Sequence, residues 1–318
     1  MLIDILFVCF GTLLLYWGTS KFVHGATSLA HNLRMPTVII GSTIVSLATS
    51  APEIQVSINA TLKNASNLAI GNAIGSNIAN IGLVLGSMAI IKPINLKSAL
   101  SKKFMLIFLV VSFMTIFLFY YGTLSQTEGI LLMMGLIIFL IRSVKIDLHL
   151  KGGIDETIDS TEKKTALLPS TMMLIIGLLL LFIGVELLVT YASIIARSLG
   201  ISETIIGITL VAIGTSLPEL SVSIISILKG QVGLAIGNII GSNIYNILAV
   251  IGIAGVVTKT PIELDSNMFK IHLIVMLCYT SVIYLLRSRS TGKIGRIEGL
   301  ILVGTFITYI SYITIQNV

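Results

Sequence analysis

The chain has 318 residues, of which 55% are hydrophobic and only 11% charged, with a mean hydropathy of +1.02. Soluble domains carry roughly 25% charged residues, so this composition excludes one and predicts a membrane protein with room for about ten spans of about 20 residues. The net charge of +6 is not a nucleic-acid signal, because the basic residues sit in short gaps between apolar runs, where topology determinants belong.

Taken in chain order, the apolar runs place a first set of spans near 3–20, 36–61, 68–91, 103–121 and 126–146. A second set follows near 167–190, 202–228, 233–257, 268–287 and 296–315. The first run follows Asp4 with no basic n-region or clear cleavage site, so no removable signal is expected. Cys9 and Cys278 fall in apolar runs and are expected as buried thiols, with no disulfide framework. Asp147 to Thr165 is the one polar stretch of any length. It reads as a solvated linker (147–166) between a first five-span unit (1–146) and a second (167–318). Glu128 and Glu298 stand where helices begin, which suits the helix dipole. Glu186 falls near a predicted span end, has Ser20 as its repeat counterpart, and is expected to be structural.

The second set repeats the first. Gly41 to Asn80 recurs at Gly207 to Asn246, offset by 166 positions without insertion, and more than half of its positions are identical. Thr49-Ser50-Ala51-Pro52-Glu53 returns as Thr215-Ser216-Leu217-Pro218-Glu219, and Gly71-Asn72-Ala73-Ile74-Gly75-Ser76-Asn77 as Gly237-Asn238-Ile239-Ile240-Gly241-Ser242-Asn243. Outside this segment, Gly18 aligns with Gly184, Phe22 with Leu188 and Ala30 with Ala196. Five spans is an odd number, so the second copy must enter the membrane from the opposite face, as an inverted repeat.

Charge placement tests this topology independently. With ten crossings, the N-terminal face receives Lys63, Arg197, Lys259 and Lys270, four of the twenty Lys and Arg, and the other face receives sixteen. The positive-inside rule then puts both termini outside and the linker inside.

The chemistry lies within the second and seventh spans and their successors. Pro52 and Pro218 lack an amide hydrogen and free carbonyls about one turn earlier, around Ala48-Thr49 and Gly214-Thr215. Inside a membrane, irregular backbone is tolerated where it lines a wet cavity, and a cation satisfies freed carbonyls. Glu53 and Glu219 follow at once, and Thr49, Ser50, Thr215 and Ser216 add hydroxyls. On the third and eighth spans, Ser76, Asn77 and Asn80 match Ser242, Asn243 and Asn246, and the spacing puts Ser76 and Asn80 on one helical face. Gly71, Gly75, Gly237 and Gly241 leave room for close helix approach.

A proline in an apolar span is most often a kink and a small-residue motif most often packing. That reading must account for both prolines, both glutamates and both Ser-Asn clusters at matching positions. The ligand set is all oxygen, with no His or Cys, which argues against zinc, copper or iron. Two carboxylates balance one divalent charge, and calcium accepts six to eight oxygens in flexible geometry. The same hydroxyls and carbonyls can hold sodium instead, and competition between the two loads is the basis of an exchanger.

These two T-S-x-P-E and two G-N-x-I-G-S-N segments resemble the alpha repeats of the calcium/cation antiporter superfamily, specifically the sodium/calcium exchanger family, and the resemblance covers nearly the whole chain. It implies an all-α integral membrane protein of ten transmembrane helices in two inverted five-helix repeats. It also implies a secondary antiporter exchanging sodium for calcium; the driving forces, taken separately, call for three sodium ions per calcium. By the same resemblance, Glu53, Glu219 and the carbonyls of Thr49 and Thr215 would coordinate calcium. Thr49, Thr215, Ser76 and Ser242, with the carbonyls of Ser46 and Ala212, would complete flanking sodium sites. Asn80 and Asn246 would line the centre.

Two departures narrow the family. The potassium-dependent branch has Asp where this chain has Asn246, which disfavours potassium co-transport. The proton/calcium branch has an acidic residue where this chain has Gly75 and Gly241, which weakens proton coupling without removing it as the alternative. A cation channel would use the same oxygens but calls for a pore-lining ring. An enzyme would need a nucleophile or catalytic metal cluster, and neither is evident. The expected partners are calcium, sodium and the lipid bilayer, with no cofactor and no nucleic acid. The expected location is the cell inner membrane, where a monomer suffices for transport.

Overall fold

The computed structural model describes residues 1–120, 122–147, 165–201, 212–258, 260–264 and 266–316. The first set of helices comprises α1 (Leu2–Leu33), α2 (Thr37–Thr49 and Ala51–Leu62), α3 (Ser66–Ile91), α4 (Lys102–Phe119) and α5 (Gln126–Asp147). The second comprises α6 (Leu167–Ser198), α7 (Ala212–Leu228), α8 (Val232–Val257), α9 (Ser266–Ser288) and α10 (Arg296–Gln316). The beginning of the seventh predicted span (202–211) and most of the predicted linker (148–164) lie outside the described residues.

Two short ribbons reveal the relation between the sets. β1 (Ile94–Asn95), after α3, pairs antiparallel with β4 (Lys293–Ile294), between α9 and α10. β2 (Thr123–Leu124), between α4 and α5, pairs antiparallel with β3 (Ile262–Glu263), after α8. A single crossing by α4 separates β1 from β2, so the two ribbons sit on opposite membrane faces. The equivalent helices α3 and α8 therefore end on opposite faces. The protein is thus an all-α membrane protein whose second five-helix set is inverted relative to the first.

Helices α1 and α6 are each 32 residues long, well beyond the ends expected at residues 20 and 190. They extend past the apolar runs because each packs antiparallel along the other. A Cβ at Gly184 would lie 2.5 Å from the Leu15 amide nitrogen, and one at Gly25 would lie 2.5 Å from that of Leu174. Gly11, Gly18 and Gly25 on α1, spaced by seven, face Gly184, Gly177 and Ser170 on α6. Small residues at this spacing let two backbones touch in lipid, where no hydrophobic force drives helices together. Glu186 consequently lies inside a long helix, exposed on its surface, and not at a span end.

The outer surface is apolar: Leu106, Phe117, Ile138, Leu179 and Ile301 are all exposed. Cys9 and Cys278, expected inside the protein, are exposed on this surface. An apolar run in a membrane protein is compatible with lipid as well as with a protein core, so hydropathy alone could not separate the two. By contrast, α8 is buried on every side from Gly233 to Tyr245. The helix-start carboxylates act as expected. Glu128 Oε2 accepts from the Ser125 amide at 2.7 Å and Glu298 Oε2 from the Gly295 amide at 3.0 Å.

Candidate cation site

The two proline-containing helices differ in shape. In α2 the backbone turns at Ser50 (φ −85°, ψ 7°), and the segments before and after it are inclined by 43°. Pro52 has no N–H for the carbonyl four residues back, and it disfavours helical geometry at Ala51. The break brings Thr49, Ser50 and Glu53 to the point where the helix is open. In α7, Pro218 sits inside a helix that continues from Ala212 to Leu228. In α3 and α8 the backbone widens into π-helical stretches, Asn80–Leu85 and Asn246–Ile251, each opened by the asparagine of interest. Such widened turns concentrate at functional sites, because they re-aim one residue without ending the helix.

Side chains from both repeats converge here. Ser50 Oγ donates to Glu219 Oε1 across the repeat boundary at 3.1 Å, and Ser242 Oγ donates to the same oxygen at 3.4 Å. Ser76 Oγ donates to Glu53 Oε1 at 3.5 Å. Thr49 Oγ1 lies 3.4 Å from Ser242 Oγ and 3.3 Å from the Ser46 carbonyl. That carbonyl also accepts from the Ser50 amide at 2.9 Å. Ser46, Thr49, Ser50, Glu53, Ser76, Asn80, Ser216, Glu219, Ser242 and Asn246 are all buried. Thr215 is half-buried on α7, and Ala212 opens that helix.

The electrostatics are unusual for buried carboxylates. Among the described residues, the ion pairs are Met1 with Asp4 and Arg289 with Glu298, both remote from the site. Glu53 and Glu219 are each 1% exposed, and among the described residues no cationic side chain pairs with either. Among the described residues, the buried side-chain atoms without a hydrogen-bond partner include four oxygens of this cluster, Glu53 Oε2, Glu219 Oε2, Asn80 Oδ1 and Asn246 Oδ1, and one nitrogen, Asn243 Nδ2. A buried acceptor without a partner costs about 1–3 kcal/mol, and more when charged. Two such atoms come from each repeat, at equivalent positions. A cation is a partner that such oxygens can take without a proton donor.

Sequence reasoning omitted one residue from this network. Asn238 Oδ1 accepts from Thr49 Oγ1 at 3.0 Å, while its Nδ2 donates to Ser223 Oγ at 3.1 Å and to the Glu219 carbonyl at 3.5 Å. It thereby holds Thr49 of one repeat against the Glu219 turn of the other. The signal was present, since Asn72 and Asn238 are identical in the two copies. The glycines behave unequally. A Cβ at Gly241 would meet Ser46 Oγ at 2.5 Å and Ser42 Cα at 2.6 Å, whereas one at Gly71 or Gly75 meets no described atom within 4 Å. Among the described residues, no group of three or more His, Cys, Asp and Glu is placed to hold a metal.

Known proteins share both the sequence and the shape. The family model for sodium/calcium exchanger protein matches residues 3–145 and 169–315. The putative antiporter CaxA of Alkalimonas amylolytica is 41% identical over 315 residues, covering 97% of this chain and 98% of that protein. The inner membrane protein YrbG of Escherichia coli K12 is 34% identical over 319 residues, covering 98% and 97%. A structure of the sodium-calcium exchanger NCX_Mj, soaked with 2.5 mM Na+ and 10 mM Sr2+, superimposes with a TM-score of 0.83 at 34% identity over 98% of both chains.

Proposed function

The chain belongs to the sodium/calcium exchanger protein family, and from that premise we propose that it exchanges three sodium ions for one calcium ion by alternating access. The observation that carries this reading is the set of four donorless oxygens on Glu53, Glu219, Asn80 and Asn246, drawn equally from both repeats. Two carboxylates neutralise one calcium ion. Left bare, they resist transfer through the bilayer, because unpaired charge in hydrocarbon is costly. An empty carrier is therefore held back and a loaded one released, which enforces exchange over leak. In this reading Glu53 and Glu219, with the Thr49 and Thr215 carbonyls, bind calcium. Ser76, Ser242, Ser50, Ser216 and the Thr49 and Thr215 hydroxyls, with the Ser46 and Ala212 carbonyls, serve sodium. Asn80 and Asn246 face the centre.

The ratio follows from the driving forces. Expelling calcium against a ~10⁴-fold gradient costs roughly 5.5 kcal/mol, and moving two charges against ~100 mV adds about 4.6. Each sodium entering down a ~10-fold gradient returns about 3.7 kcal/mol. Two sodium ions supply roughly 7 kcal/mol and three roughly 11, so three suffice and one net charge enters per cycle. The moving part is the α1–α6 pair, whose continuous glycine seam favours motion as one body. In this reading the protein lies in the inner membrane, residues 1–146 and 167–318 are its two repeats, the linker at 147–166 is on the cytoplasmic side and both termini are outside.

The test is calcium-45 uptake into proteoliposomes loaded with sodium or with potassium, at fixed pH and clamped potential. Uptake that depends on internal sodium and carries current is expected. Uptake driven equally by a proton gradient without sodium would replace sodium with protons in the cycle, and an electroneutral cycle would refute the ratio.

A further inference from the structure

Two asparagines outside the proposed ligand set hold the two inside it. Asn77 Nδ2 donates to the backbone carbonyl of Asn243 at 3.2 Å, which fixes the nitrogen end of the Asn77 amide. Its other end, Oδ1, accepts Asn246 Nδ2 at 3.0 Å. From the other side, Asn243 Oδ1 accepts Asn80 Nδ2 at 3.0 Å, although Asn243 Nδ2 itself has no partner, so the Asn77 half of the arrangement is the better anchored. Asn77 and Asn243 are repeat equivalents, as are Asn80 and Asn246, so the bonds cross between α3 and α8 in both directions. All four side chains are at most 1% exposed.

An amide has two faces of opposite sign. Its oxygen attracts a cation, and its NH2 repels one while looking almost identical in size. A buried amide free to turn would therefore offer the wrong end part of the time. Here the nitrogens of Asn80 and Asn246 are each engaged by the opposite repeat, and the atoms left without a partner are both oxygens. We propose that Asn77 and Asn243 are positioning residues that fix the amides of Asn246 and Asn80 with their oxygens toward the transported ion. The inference rests on the exchange reading of the same site. It assigns to the second asparagine of each G-N-x-I-G-S-N segment a role in affinity without ion contact.

The crossed bonds also fasten α3 to α8, so the test must separate orientation from fastening. Calcium-45 exchange in proteoliposomes is measured for the full chain, for Asn77→Leu, for Asn246→Ala and for the double variant. Asn77→Leu is expected to raise the calcium KM about tenfold with maximal rate within about twofold. In the Asn246→Ala background it should add less than about twofold, since no amide remains to orient. Equal losses in the two backgrounds, or an unchanged KM in the single variant, would reduce Asn77 to a fastener and overturn the proposal. Asn243→Leu with Asn80→Ala repeats the cycle from the other side should the Asn77 variant fold poorly. Sodium-dependent uptake by the unaltered chain is the control: its absence defeats the exchange reading, whereas its presence beside an unmoved KM defeats only this inference.

Discussion

The two repeats carry nearly the same residues at the site but do not hold them in the same way. In the second repeat, the turn after α7 reaches the first: Lys229 Nζ donates to the Ser20 carbonyl at 3.0 Å and to Ser20 Oγ at 2.8 Å. The equivalent residues of the first repeat are Lys63 and Glu186, an opposite-charge pair that makes no ion pair with each other here. Glu186 accepts only from Thr190 Oγ1, at 3.5 Å. Helix α2 is bent at Ser50 while α7 is continuous over its described length, and Ser50 binds Glu219 although no hydrogen bond joins Ser216 to Glu53. Where the two copies carry the same residue, as at Ser50 and Ser216, the contacts still differ, so that part of the asymmetry does not come from composition. In an inverted repeat, exchanging the two conformations produces the same molecule open to the other face.

The largest expected effect tests whether the carboxylates share one load. Glu53→Gln and Glu219→Gln should each reduce sodium-dependent calcium uptake by more than about 100-fold, because either change leaves a calcium ion with a single formal counter-charge. A mild phenotype in one of the two would show that the repeats are unequal at the site itself, and would confine calcium to the other. The next effect concerns packing. Gly241→Ala forces a Cβ against Ser42 Cα at 2.6 Å, so thermal unfolding in detergent should shift down by several degrees. Gly304→Ala, exposed on α10 with nothing within 4 Å, should lower it by less than about one degree. Equal shifts would mean that the two glycines pack alike in the detergent-solubilised protein.

Much of this was legible from residue order. Hydropathy found the helices, and the offset of 166 found the symmetry, because duplication leaves an identity signal that needs no partner structure. Where the signal was only apolarity, it misled: Cys9 and Cys278 face outward and Glu186 lies within a long helix, since lipid and core look alike in composition. The cluster of Glu53 and Glu219 with its neighbouring hydroxyls was legible as a candidate site because a carboxylate in an apolar run has few structural uses. What was not legible was the direction of each amide and the role of Asn238. Both depend on which atoms of the other repeat lie within 3 Å, and a periodicity along one chain holds no information about the crossing angle of two helices. The break of α2 at Ser50, where α7 continues through Ser216 over its described length, was likewise hidden, because Pro52 and Pro218 stand in nearly the same local sequence.

The smallest expected effect is also the sharpest test of the exchange of conformations. If the first repeat takes up the arrangement now held by the second, Lys63 must approach Glu186 as Lys229 now approaches Ser20, and a Lys–Glu pair forms in the opposite-facing state. Pairs of this exposed kind are worth about 0–1 kcal/mol, so Glu186→Gln should slow turnover by less than about fivefold while leaving the calcium KM in place. Reversing one charge turns attraction into repulsion and should cost more, so Lys63→Glu and Glu186→Lys are each expected to exceed the loss in Glu186→Gln. The double reversal restores an opposite-charge pair and should recover most of the lost rate. An additive double variant would mean the two side chains never meet, and would leave the inverted repeat as a description of ancestry without a second conformation. Recovery would tie the asymmetry between Lys229–Ser20 and Lys63–Glu186 to the transport cycle, because no contact present in this state could produce it.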